Sequence, residues 1–466
     1  MPSMTKTAAA IGFEGPRSLS NRLWQRLQTV ISVAGRRDPR RHISHETGAK
    51  QMLPPGAVKP DYTGYCLSNV PSTLASVLGY DDPRPSLPKD AFGDVDTSGI
   101  ENVILVLCDG FGYNEWQRQS DHAFFGALAA KGNVRPITPV FPSTTSANLT
   151  SLSTGLTPQE HGLPEWFVYM QEVGEIIVTL PFTRVGEYGR DTLVGSMNPR
   201  SLFDGTTIYQ RLKKAGIDST TFSSRSLAFS AYSTVSRRGS KINAYASASD
   251  LSVSLRKFVE RSRGRNYVYV YWSMIDTIEH IFGPSTDQAL VEGSLISHAL
   301  YEGFLSKLDR KSAKKTMVVV TADHGQLKVD SSKTLYMNRF GGLTQNFQKS
   351  PTGSSIPPWG SARDSFILVE EDALEKTKAY LEKKLEGVAS VIRTEDAMEA
   401  GLFGINKPSR KFRRRVGNLM VLPHGNRTVW YKYQKDNKLN VGGHHGGLSR
   451  AEMTIPLAAA RVSDLQ

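Results

Sequence analysis

The chain has 466 residues and a formal net charge of +13, with 39% hydrophobic and 22% charged residues, an ordinary balance for a soluble globular protein. Its two cysteines, Cys66 and Cys108, exclude a disulfide framework and a zinc-finger pattern, and lead us to expect a reducing, cytoplasmic setting. The excess of Lys and Arg favours anionic partners such as nucleotides, phosphoesters, nucleic acid or a lipid surface, while no run of about 18 apolar residues is present to cross a membrane.

Residues 1 to 50 hold nine Lys or Arg against three acids. Leu19, Leu23, Leu27, Val30 and Ile31 recur at helical spacing, with Arg22 and Arg26 between them. This reads as a basic, disordered leader with one transient helix; organelle targeting, or contact with a membrane surface or nucleic acid, is the alternative. The prolines of "MLPPGAVKPDY" set the end of the leader near residue 60, so a folded domain is expected over 61–466.

From there strands and helices alternate. "ENVILVL" (101–107), "YVYVYW" (267–272) and "TMVVVTA" (316–322) are short apolar or β-branched runs, the signature of central parallel strands buried on both faces. Helices are predicted over 143–155, 205–216 and 296–310. The pattern is that of an α/β fold: a doubly wound, mostly parallel sheet with helices on both faces. Residues 331–440 break the alternation and read as an inserted cap packed over the strand ends; its basic run "KPSRKFRRR" is expected to be a solvated face.

Acids follow all three predicted strands. Asp109 ends the first in "CDGFG", Asp276 lies just beyond the second in "SMIDTIEHIFGP", and Asp323 follows the third in "TADHGQ". Each one alone reads equally well as a turn residue. Together they converge on the carboxyl rim of the sheet, where ligands bind in such folds. Two of them bring a histidine: Asp276 and His280 sit four apart, on one helix face, and Asp323 adjoins His324 in a loop. A later pair, His444 and His445, lies in "GGHHGGLS" among glycines that permit close backbone approach. "VFPSTTSANLTSLSTG" reads strand, turn, helix, which puts Thr144 and Thr145 at a helix N-terminus suited to a phosphoryl group.

The ordered set "LCDGFG", "PSTTSAN…STGLTPQEHG", "DTIEHIFGP", "TADHG" and "HHGGLS" resembles the alkaline phosphatase superfamily, and within it the type I phosphodiesterase/nucleotide pyrophosphatase family, over roughly residues 100 to 460. The resemblance implies an alkaline phosphatase-like catalytic domain with a cap over about 331–440, acting on an anionic phosphoester; no obligate protein partner is evident in the sequence. It implies two divalent metal ions, zinc first and manganese as the alternative. One would be held by Asp276, His280 and His445, with His445 preferred over His444 because it directly precedes "GG". The other would be held by Asp109, Asp323, His324 and the oxygen of Thr145. Thr145 is then the nucleophile of a covalent phosphothreonine intermediate, and Asn148 donates to a phosphate oxygen. The sulfatase signature is absent at both cysteines. The alternatives within the superfamily are a phosphomonoesterase, phosphonate hydrolase or phosphomutase; outside it stands a phosphate- or nucleic-acid-binding protein with a vestigial site.

Overall fold

In the computed structural model the described residues are 53–434 and 438–466; the leader and its helical spacing lie outside them. Every motif falls in one compact unit, Gln51–Gln466. That unit starts ahead of the expected boundary at residue 60. The Val58 N–H donates to Leu448 O at 2.8 Å, and Leu53, Ala57 and Val58 pack on a buried cluster that includes Phe141, Trp359 and Met453.

The centre is a sheet of seven strands. In chain order they are β1 (Asn102–Cys108), β2 (Asn133–Ile137), β3 (Asp218–Ser224), β4 (Lys241–Tyr245), β5 (Asn266–Trp272), β6 (Thr316–Thr321) and β7 (Ile455–Arg461). Across the sheet they run β2-β7-β6-β1-β5-β3-β4. Only β7 is antiparallel to its neighbours, β2 and β6; the other pairs are parallel. Every residue of β1, β5 and β6 is buried, as continuous apolar runs in a two-sided parallel sheet require. Each fully buried Val, Leu or Ile there contributes about 1.5–3 kcal/mol relative to exposure.

Register then places the chemistry. Cys108 pairs with Trp272 and Leu107 with Thr321, so the three central strands stop level with one another. Asp109, Asp276 and Asp323 consequently leave the same rim from adjacent strands.

The predicted helix over 143–155 is α1 (Thr145–Thr154), with Thr144 in extended geometry at its N-cap and Gly155 in the left-handed region (φ 68°) at its end. The helix expected over 205–216 is α2 (Ile208–Lys214), started by a Thr207–Gln210 capping box. Beyond it lie α3 (Ala231–Ser236) and α4 (Met274–Phe282). The helix expected over 296–310 differs: α5 runs Asp287–Gly303 and stops at Phe304, after which a 3-10 turn, Leu305–Lys307, takes over. An extended Thr286 at the N-cap, its hydroxyl donating to Gly283 O at 2.9 Å, sets the earlier start.

The insertion builds a four-stranded antiparallel sheet from Trp359–Gly360, Ser365–Ile367, Leu419–Pro423 and Ala389–Arg393. Its basic run is not wholly a solvated face. Arg410, Arg413 and Arg414 are exposed, but Phe412 and Arg415 are buried, and the Arg415 guanidinium donates to Gly162 O at 2.8 Å and Ser201 O at 3.0 Å. It fastens the insertion to the main domain. No helix among the described residues is long and apolar enough to cross a membrane. Both cysteines are free and buried.

Candidate active site

Three strand ends and one glycine-flanked loop bring the site together. Asp109 is buried; one of its oxygens accepts from the Tyr271 hydroxyl, and the other, Oδ1, has no hydrogen-bond partner and lies 3.4 Å from His324 Nε2. The turn beyond it must be glycine. Gly110 has φ 74°, and a Cβ there would come within 2.9 Å of the Asp276 Cα. That close approach seats the start of α4, whose Asp276 N–H donates to Asp109 O at 3.1 Å.

On α4 the four-residue spacing does what helical geometry requires. Asp276 Oδ1 lies 3.4 Å from His280 Nε2 and 3.7 Å from His445 Nε2, and accepts from Gln326 Nε2 at 2.6 Å. Each ring is oriented by a carbonyl on its far side: His280 Nδ1 is 3.0 Å from Gly443 O, and His445 Nδ1 is 2.8 Å from Ser143 O. With Nδ1–H donated there, both Nε2 lone pairs point at one place, 3.1 Å apart. Two lone pairs facing beside a carboxylate fit a cation between them.

The second group forms around His324, which is fully buried. Its Nε2 lies 3.4 Å from Asp109, 3.5 Å from Asp323 Oδ2 and 3.1 Å from Thr145 Oγ1, and its ring stacks on His445 at 3.6 Å. Asp276, His280 and His445 form one set with ligand atoms mutually within 4.8 Å; Asp109, Asp276 and His324 form another. The second set therefore takes Asp276 where the resemblance has Asp323. Asp323 Oδ1 accepts from the Gly110 and His324 N–H groups, both at 3.1 Å, which turns it toward the backbone, while Oδ2 is buried with no hydrogen-bond partner.

The electrostatics follow from burial. Burial first, then the charges of Asp323 and Asp276, raise the Asp109 carboxyl well above its usual range. Burial also raises Asp323, to about 7. Burial opposes the charge on Asp276 too, yet its carboxyl lies below the ordinary value, drawn down first by His280. Burial lowers His324 to about 4 and His445 well below its usual value, so both rings are neutral at pH 7 and carry a ligand lone pair. Unpartnered buried carboxylate oxygens, neutral imidazoles and no thiolate are the donor chemistry of a divalent cation such as zinc or manganese.

Thr145 is the first residue of α1, where backbone N–H groups have no intrahelical partner. Asn148 is fully buried: its amide donates to Thr144 O at 3.0 Å and its Oδ1 accepts from Val140 N at 2.8 Å, which braces the turn before Thr145. His444 is half-buried and stands outside both ligand sets; its Nδ1 accepts from the His445 N–H at 2.9 Å.

Tyr271, Gln326, Trp166 and Arg237 were not among the residues singled out. Gln326 has a visible signal, three residues after Asp323; Tyr271 is one tyrosine of an alternating strand. Two cavities flank Thr145. One, of about 310 Å³, lies between Asp109, Thr145, Asp276 and a wall that includes Trp166, Tyr232 and Arg237. The other, of about 400 Å³, meets Thr145, His280 and His445 with Trp430 and Lys438 of the insertion.

A profile of the family described as type I phosphodiesterase / nucleotide pyrophosphatase matches residues 103–448. Among curated proteins, a search finds no match. Among solved structures, the chain is similar to murine ectonucleotide pyrophosphatase/phosphodiesterase 5, at 18% identity and a TM-score of 0.57, and to the human protein of that name, at 18% and 0.58. It is similar also to an inactive variant of the murine protein in complex with AMP, at 17% and 0.58; each match covers 77% of this chain and 87% of the other. The fold is thus shared with these proteins, and the profile spans most of the chain with both ligand sets inside it. The chain belongs to the type I phosphodiesterase/nucleotide pyrophosphatase family and is an enzyme of that kind.

Proposed function

We propose that the chain hydrolyses phosphodiester or pyrophosphate bonds of nucleotide-type substrates, with Thr145 as nucleophile and two divalent metal ions, zinc or in its place manganese. One observation carries the reading. The Thr145 hydroxyl sits at the N-terminus of a buried helix, 3.1 Å from His324 Nε2, beside carboxylate oxygens that have no other partner. Asp276, His280 and His445 would hold one ion, and Asp109, Asp323, His324 and the Thr145 oxygen the other. When bound, such ions supply Lewis-acid charge that favours ionised hydroxyl and neutralises phosphoryl oxygens.

The chain's own residues do the rest. Backbone N–H groups opening α1 face a phosphoryl oxygen, and Asn148 fixes the turn that aims Thr145. Attack by Thr145 Oγ1 forms a Thr–O–P bond as the bond to the leaving oxygen breaks; water then cleaves the phosphothreonine and returns the hydroxyl. The AMP complex of the murine relative supports a nucleotide-type substrate.

Residues flanking the nucleophile, Ser143, Thr144, Ser146, Ala147 and Asn148, carry no charge. That suits the single charge of a diester better than the double charge of a monoester. An aryl phosphodiester is expected to exceed the matching monoester in kcat/KM by at least about tenfold, or about 1.4 kcal/mol. A monoester preference would overturn the diesterase reading in favour of the phosphomonoesterase alternative.

A further inference from the structure

The seam between the insertion and the main domain buries two acids that the metal sets leave out. Glu165 follows the main-domain helix Pro158–His161, and Asp364 belongs to the insertion; neither has exposed surface. Their side chains lie within hydrogen-bond reach of each other. Each gives one oxygen to a local donor: Glu165 Oε2 accepts from the Trp166 N–H, and Asp364 Oδ1 accepts from the Ser361 hydroxyl. The other two oxygens, Glu165 Oε1 and Asp364 Oδ2, are buried without a donor. No cation among the described residues forms an ion pair with either acid.

Two ionised carboxylates facing each other out of water repel strongly, and carboxylate oxygens can only accept. A bond between them therefore needs a proton. One proton held between Oε1 and Oδ2 satisfies both free oxygens and halves the buried charge. The surroundings favour it. Burial raises the Glu165 carboxyl to about 7, and burial together with the charge of Glu165 raises Asp364 well above its usual range. The titratable and charged groups around the pair supply no countercharge. Glu452 is matched by Arg363 at 2.9 Å, burial keeps the Tyr433 phenol neutral, and Lys438 is exposed across the cavity of about 400 Å³ that Glu165 borders.

The pair lies under the loop that carries His445. The Ser361 hydroxyl, which bonds Asp364, is also 3.4 Å from His445 O. The next residue, Gly446, has φ 124°, and a Cβ there would come within 2.6 Å of Asp364 Oδ1 and 2.5 Å of Ser361 Oγ. The loop is thus packed directly on the turn 361–364 and moves with it. We propose that Glu165 and Asp364 share a single proton across the seam, and that this pair positions the loop of His445. Opening the seam frees two carboxyls of ordinary acidity, which release that proton to solvent. The pair's contribution is full below the ordinary carboxylate range near 4 and is lost as pH rises through about 7.

The test compares wild type with Glu165→Gln, whose amide donates to Asp364 without a proton to lose, and with Glu165→Ala, which removes the bond. Amide exchange of the strand Ser365–Ile367 is followed against pH. The rate in wild type relative to Glu165→Gln should rise about tenfold per pH unit between pH about 5 and about 7, and level off above that. A ratio independent of pH overturns the shared proton. So does Glu165→Gln behaving like Glu165→Ala, the result that a bound cation in place of the proton would give. Zinc affinity at pH 6 should weaken at least about tenfold in Glu165→Ala and stay within about threefold of wild type in Glu165→Gln. Equal affinity in all three proteins overturns the positioning role. The zinc readout rests on His445 as a metal ligand, whereas the exchange ratio does not. A chain that binds no zinc therefore refutes the metal reading and leaves the exchange ratio to decide the pair. If Glu165→Gln fails to fold, Asp364→Asn makes the same comparison from the other side of the seam; failure of both refutes the proposal, since each keeps the bond.

Discussion

Glu452 offers a test of how the loop carrying His445 is held. Its carboxylate receives two parallel bonds from Arg363, Nε to Oε1 and Nη2 to Oε2, both at 2.9 Å. It also accepts from Gly447 N at 3.0 Å and Ser449 N at 3.1 Å, which closes the loop just beyond His445. Ser143 ties the same loop to the turn before Thr145, donating to Gly447 O at 2.8 Å. Burial would raise the Glu452 carboxyl; Arg363 and the donors of this loop instead bring it from 4.5 down to about 2. At about 1.36 kcal/mol per pH unit, that drop is worth about 3 kcal/mol, and breaking a buried ion pair from one side costs about 3–5 kcal/mol.

Glu452→Gln should therefore lose about 3 kcal/mol of stability by denaturant unfolding, and its divalent-metal occupancy should fall as His445 is released. The pH dependence has a definite sign. A depressed folded pKa stabilises fully above the ordinary value near 4.5 and loses that contribution as pH falls toward about 2. The stability gap between wild type and variant should be constant above pH about 5 and shrink below it. A variant within about 0.5 kcal/mol of wild type at pH 7, with metal occupancy unchanged, would refute the claim that this pair organises the loop.

Thr145→Ala should remove nearly all turnover while Thr145→Ser keeps some; full activity in the alanine variant rules out the covalent mechanism. Metal analysis should find close to two divalent ions per chain, and chelator should abolish turnover that added metal restores; activity indifferent to chelator removes the metal reading. Replacing His445 should weaken metal binding more than replacing His444, and the reverse result exchanges their roles. Deleting residues 1 to 60 removes the Val58–Leu448 hydrogen bond and its apolar contacts, so it should lower the unfolding temperature more than deleting 1 to 50; equal temperatures show that the segment adds nothing.

The rim of the sheet was legible because its three central strands are continuous apolar runs buried on both faces. "DSTTFSS", which forms β3, was not legible. Its serines and threonines are buried by neighbouring strands, a tertiary effect that local hydropathy does not register. Asp276 and His280 were readable from helical spacing alone. The hydrogen bonds of Asn148 to Val140 and Thr144 were not, because they depend on the turn geometry of the folded chain. Arg237, in the basic stretch "SRRGSK", looks solvated in one dimension, yet the fold buries it beside the cavity that meets Thr145.

The insertion supplies Trp430 and Lys438 to one chamber beside Thr145, while the sheet rim supplies the acids. The walls of that chamber and the acids of the rim therefore come from separable stretches of chain, so the insertion can diverge without disturbing the acidic rim. The separation has one constraint. Arg363 belongs to the insertion but is bonded to Glu452 of the main domain. A transplanted cap that lacks this arginine would strand a buried carboxylate under the loop that carries His445, so caps can be exchanged between relatives only where that partner travels with them.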